Sequence, residues 1–128
     1  MQVVIVTPEA TALDVEAEFV SLPLIDGEIG VLKDHAPTIG RLGFGEMRVR
    51  TGNDTDRYFV DGGFVQISND IVSVLTGKAT PFTDLGMDAV RSSLTAAEAL
   101  PQSTTAETEL RRQSINRASA QIKMLEKS

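Results

Sequence analysis

Few side chains in this sequence could do covalent or acid–base chemistry. There is one histidine, His35, and there are no cysteines. A Cys/His nucleophile pair is therefore excluded, and a Ser-His-Asp triad would have to be built on His35, beside which the sequence places no serine. Zinc sites take three or four ligands, mostly His and Cys, so a metal centre is not expected. A Gly-rich loop ending in Gly-Lys-Ser/Thr is missing, as is a G-x-G-x-x-G turn between a strand and a helix. Gly43-Phe44-Gly45 reads instead as a hairpin turn. The residue types point away from catalysis and toward a protein that works by docking to larger partners.

Two polar clusters remain. His35 lies in Gly27-Glu28-Ile29-Gly30-Val31-Leu32-Lys33-Asp34-His35-Ala36-Pro37, a strand running into a polar loop closed by proline. Its ring nitrogens can bond the nearby backbone, or the ring can serve as a surface contact. Asp88 and Arg91 are spaced i, i+3, which fits a helix-face ion pair worth a few tenths of a kcal/mol or a basic group reaching an anionic ligand.

The elements that would position these residues change character along the chain. From Gln2 to Thr76, short β-branched and aromatic runs alternate with turn residues. Candidate strands are Gln2–Thr7, Leu13–Glu18, Phe19–Leu24, Ile29–Leu32, Thr38–Leu42, Glu46–Arg50, Arg57–Val60, Phe64–Ser68 and Ile71–Leu75. Met47-Arg48-Val49-Arg50 sends Met47 and Val49 inward and both arginines outward; Val20, Leu22 and Leu24 alternate in the same way. Asp26-Gly27, Gly52-Asn53-Asp54, Asp61-Gly62-Gly63 and Asn69-Asp70 read as hairpin turns, so successive strands are expected to pair antiparallel.

After Pro81 the apolar spacing becomes three-four-three at Met87, Val90, Leu94 and Ala97, which predicts a helix with Asp84 as N-cap and Pro101 beyond its end. Thr104-Thr105-Ala106-Glu107 reads as a capping box opening a second helix, whose Ile115, Ala118, Ile122 and Leu125 repeat the spacing. The expected fold is β plus α: an N-terminal antiparallel β-sandwich over residues 1–84, then an antiparallel two-helix hairpin over 85–128. The hairpin seams are thin. At ~25 cal/mol per Å2 they contribute a few kcal/mol against an ordering cost of about 1–2 kcal/mol per residue. The hairpin is expected to need the β domain or a partner, and to be able to exchange one for the other.

Charge narrows the partners. The net charge of −6 is uneven: residues 1–84 carry 6 Lys/Arg against 13 Asp/Glu, while 85–128 carry 6 against 5. Nucleic acid is bound by neutralising its phosphates, so the acidic front part argues against it. An acidic face could instead meet a basic protein surface. Neither a membrane-spanning run nor a secretory leader is expected, since Met1-Gln2-Val3-Val4-Ile5-Val6 enters a strand-like run directly. A cytoplasmic location follows as an expectation.

GEIGVLKDHAP (27–37) resembles the loop-and-strand motif of the epsilon subunit of F-type ATP synthase. RYFVDGGFVQISNDIVSVL (57–75) is similar to the late sandwich hairpin of that family, and MDAVRS (87–92) to the Ile/Leu-Asp-x-x-Arg-Ala start of its first C-terminal helix. Lys33-Asp34 replaces the family's Pro-Gly or Pro-Asn, and Ser92 its Ala. The resemblance implies a non-catalytic rotor subunit of the central stalk of a proton-translocating synthase, on the cytoplasmic face of a bacterial inner membrane. It implies a sandwich seated on gamma and touching the c-ring, with Glu28 and His35 on the edge that faces the c-ring loops. It implies helices that lie folded or extend toward the alpha/beta subunits and inhibit hydrolysis.

No cofactor is implied beyond ATP, which some relatives bind through the helix-one Asp and Arg and two arginines four residues apart. Asp88, Arg91 and Arg117 match, but Gln121 stands where the last arginine would be. Losing one charge-assisted partner costs about 1.5–3 kcal/mol, so ATP binding is expected to be weak or absent. The competing readings are a free-standing ligand- or peptide-binding sandwich with a helical dimerisation tail, and an enzyme using carboxylates with His35. A single Tyr and no Trp offer little hot-spot surface for the first.

Overall fold

The computed structural model describes residues 1–127 and comprises two compact units, one from Met1 to Phe82 and one from Thr83 onward. The β unit contains β1 (Gln2–Val6), β2 (Thr11–Glu16), β3 (Phe19–Leu24), β4 (Gly27–Leu32), β5 (Thr38–Thr51), β6 (Asp54–Ser68), β7 (Ile71–Leu75) and β8 (Ala79–Pro81). Strand order is β2-β1-β7-β6-β5-β3-β4, with β8 on the free side of β6. The sheet folds on itself as a sandwich because both long strands serve two layers. The first half of β5 pairs with the second half of β6 beside β7 and β1, and their other halves lie between β3 and β8. Val3, Ile5, Val20, Leu22, Val31, Met47, Val49, Val60, Val65, Val72 and Val74 fill the space between the layers.

Four expectations are corrected. Thr38–Leu42 and Glu46–Arg50 are one strand, so Gly43-Phe44-Gly45 is not a hairpin turn; a Cβ on Gly45 would sit 2.8 Å from Pro23, so this glycine permits close packing within the strand. Arg57–Val60 and Phe64–Ser68 are likewise one strand. Gly62 (φ 70°) and Gly63 (φ 111°) rotate its backbone, and the inward positions change from Tyr58 and Val60 to Val65 and Ile67. That change of parity within a continuous ladder imitates a turn. Successive strands that pair do so antiparallel, as expected, but the sandwich is not antiparallel throughout: β1 and β7, far apart in the chain, pair in parallel, and β2 and β4 are edges. Gly86, not Asp84, precedes the first helix; Asp84 closes a 3-10 turn over Phe82–Asp84.

Other local readings hold. Asn69 (φ 53°) and Asp70 (φ 62°) both adopt left-handed conformations, as a two-residue type I′ hairpin turn requires. Arg48 and Arg50 are exposed while Met47 and Val49 are fully buried.

The second unit consists of α1 (Met87–Glu98) and α2 (Thr105–Glu126). The capping box forms: the Glu107 N–H donates to the Thr104 hydroxyl at 3.1 Å, and the Thr104 N–H donates to the Glu107 carboxylate at 3.0 Å. The Arg111 guanidinium reaches back to the Glu98 carbonyl at 3.3 Å, satisfying an orphan acceptor at the end of α1 and fixing an antiparallel pair. Val90, Ala97 and Ala118 of the expected seams are buried, whereas Leu94, Ile115, Ile122 and Leu125 are half-buried. No described helix is long and apolar enough to cross a membrane.

Candidate partner-binding site

Alternation places the outer face of one sandwich layer. With Val3 and Ile5 inward, Val4 and Val6 face out; with Val72 and Val74 inward, Ile71, Ser73 and Leu75 face out. Register then joins the outward residues across four strands. Val6 is opposite Leu75, Leu75 opposite Phe64, and Phe64 opposite Arg41. Strands are spaced by about 4.8 Å, so this row is about 15 Å wide. Val6 is 38%, Leu75 50% and Phe64 57% exposed, and Ile39 in the next row is 77% exposed. A shallow depression lined by Val6, Thr7, Pro8, Leu75, Thr76 and Gly77 continues the row past the strand ends. Contiguous apolar surface of this kind marks an interaction site.

The margins of the face are charged with opposite sign. Asp14 and Glu16 project from β2, where the Gln2 side-chain amide donates to Asp14 at 2.9 Å, and Arg41 projects from β5. These apolar residues carry a signal in the sequence that period-2 reading passed over. QVVIV and IVSVL place apolar residues on both faces, which means contact on both faces.

Glu28 and His35 lie at opposite ends of β4 and are not brought together; the four-residue rise from Glu28 to Leu32 alone is about 13 Å. Glu28 is exposed and close enough to Arg48 to act on it. The Arg48 guanidinium is held above its ordinary value chiefly by its hydrogen bond to Glu46, then by the charges of Glu46 and Glu28. Glu46 also pairs with Arg57, whose guanidinium stacks on Phe82 at 3.9 Å, where the chain leaves the β unit.

His35 is half-buried, and its Nδ1 donates to the Ala36 carbonyl at 2.8 Å, assigning the proton to that nitrogen. The preceding residue, Asp34, has φ 64° and donates its N–H to the Asp70 carboxylate at 3.1 Å, so this loop is tied to the β6–β7 turn. The ring thus makes the local backbone bond expected of a loop histidine.

On the helices, Asp88 and Arg91 are exposed, and among the described residues no ion pair joins them, so of the two readings of this spacing the helix-face pair is not formed. Arg117 is half-buried on α2. No group of three or more His, Cys, Asp or Glu among the described residues could hold a metal ion.

Residues 1–82 match the profile of a family described as the ATP synthase delta/epsilon chain, beta-sandwich domain. The chain is 47% identical over 120 residues to the ATP synthase epsilon chain of Rhodopirellula baltica, covering 94% of each sequence. It is 37% identical over 84 residues to the sodium-ion-specific ATP synthase epsilon chain of Propionigenium modestum, covering 66% of this chain and 61% of that one. A chain in the solved Euglena gracilis mitochondrial ATP synthase, a structure comprising OSCP, F1 and the c-ring, has the same fold. Its TM-score is 0.86 at 23% identity, over 96% of this chain and 79% of that one.

Proposed function

Because the chain belongs to the family of ATP synthase epsilon chains, we propose that it is a non-catalytic subunit of the central stalk, coupling gamma to the c-ring and regulating hydrolysis through α1 and α2. One observation carries the docking role: the exposed apolar row Val6, Leu75 and Phe64. Burying such side chains on a partner is worth about 1.5–3 kcal/mol for each that is fully covered. We assign this face to gamma, with its acidic β2 margin and Arg41 selecting the opposite charges. Glu28, at the β3–β4 end, is the group we assign to basic c-ring loops, and His35 shapes the loop at the other end.

The helices suit a regulatory part because their shared seam is small. In a folded pair, Asp88, Arg91 and Arg117 are the groups we assign to ATP, and with Gln121 as the fourth member the site is weak or empty. Placement at the cytoplasmic face of a bacterial inner membrane, held there through the complex, follows from the same reading.

Purification of the complex from membranes tests the assignment: the chain should co-purify stoichiometrically with gamma. Truncation after Thr83 should then raise ATP hydrolysis while leaving the chain bound. Unchanged hydrolysis would remove regulation and keep coupling; failure to co-purify would remove both.

A further inference from the structure

The edges of the sandwich are unequally guarded. β2 carries exposed Asp14 and Glu16, and its ladder with β1 shifts register between Ile5 and Val6. β8 has three residues and ends in Pro81, which has no N–H to offer. β4 is less guarded: Glu28 is its one exposed charge, and its ladder with β3 does not shift. Its six residues pair with β3 in unbroken register from Phe19↔Leu32 to Leu24↔Gly27, contain no proline or basic residue, and among the described residues have no strand on their other side. Leu32 is 58% exposed and Ile25, in the adjoining turn, 63%. A regular, nearly uncharged edge leaves alternate N–H and C=O groups as a template for another strand.

We infer that β4 accepts an extended strand from a neighbouring subunit of the assembly, one that sets an aliphatic side chain against Leu32 and a lysine or arginine opposite Glu28. The inference rests on the stalk reading above. Its chemistry comes from the outward side of β4, which presents Glu28, Gly30 and Leu32 in turn. Glu28 is the only charge on the strand. The Phe19 ring lies over Gly30, where an added Cβ would meet it at 3.1 Å, so the middle of this surface is flat and aromatic. A second copy of this chain fits badly. Two antiparallel registers pair five of its six residues: the one centred on Gly30 sets each Glu28 against the other copy's Leu32, and the one centred on Ile29 sets it against Gly30, so neither gives Glu28 a partner of opposite charge.

Amide hydrogen exchange on the isolated chain and on the purified complex tests the inference. In the isolated chain, alternate amides of residues 27–32, those turned away from β3, should exchange freely. In the complex the same amides should slow at least tenfold, while those bonded to β3 stay protected in both. Leu32→Lys, at an exposed site, should leave the isolated chain folded and cut its retention in the complex at least fivefold. Outward amides that exchange equally fast in chain and complex, with the chain bound, would overturn the inference alone; a chain that never enters the complex would overturn the stalk reading itself. Concentration-dependent dimers of the isolated chain with the same amides protected would make the occupant a second copy and also overturn it.

Discussion

The β unit closes its core with fully buried Val, Ile, Leu and Met side chains from β1, β3, β4, β5, β6 and β7, whereas α1 and α2 bury only Val90, Ala97, Ala118 and Met124. The first set is large and interdigitates between two layers; two members of the second are alanines. Buried apolar area scales with stabilisation, so the two units differ in how much each can lose before it opens. A rigid unit suits a surface that must stay docked, and a loosely held pair of helices suits a part that changes partners.

Substitutions can break or sharpen this contrast. The largest effect is expected at Gly63, where φ is 111° and a Cβ would fall 2.0 Å from the Leu75 carbonyl oxygen. Gly63→Ala should cost about 3 kcal/mol or more in denaturant unfolding of the β unit; a cost below ~0.5 kcal/mol would mean that the β unit yields as readily as the helices. Met47→Ala comes next, at about 2–5 kcal/mol, since a fully buried side chain leaves a cavity. Leu94→Ala, half-buried on α1, should cost much less, and equal losses at the two sites would erase the contrast.

Thr104→Ala removes one half of the capping box and should cost about 1 kcal/mol, read as faster amide exchange in the first turns of α2 with the strands unaffected. The smallest effect is a pH dependence. The Arg112 hydrogen bond holds the Glu109 carboxyl below its ordinary range. Its contribution is therefore complete above that range and lost as pH falls through the lowered value. An NMR titration of α2 should show fraying confined to acid; fraying that grows toward neutral pH would contradict the sign.

The sequence makes the helical half legible almost to the residue, because its determinants are local: the Thr104/Glu107 box, Pro101 and a three-four-three spacing. Asp84 misleads because a 3-10 turn intervenes before Gly86. In the β half, single hairpin turns are legible from Asn69-Asp70 and Gly52. What hides is non-local. Whether Asp61-Gly62-Gly63 ends a strand or rotates one depends on β5 running alongside without a break, and the parallel β1–β7 pair joins residues some seventy positions apart. The candidate site divides in the same way. Glu28 and His35 stand out by motif, but Val6, Leu75 and Phe64 form a row only once register is known.

That row bears the central claim, and one measurement addresses it directly: retention of Phe64→Glu in the gamma-containing complex, compared with the unaltered chain and with a chain truncated after Thr83. Phe64 is 57% exposed, so the substitution should leave the β unit folded by circular dichroism. The account predicts that retention falls at least tenfold for Phe64→Glu and is unchanged for the truncated chain. Undiminished retention of Phe64→Glu, with the truncated chain released, would place docking in the helices and contradict it.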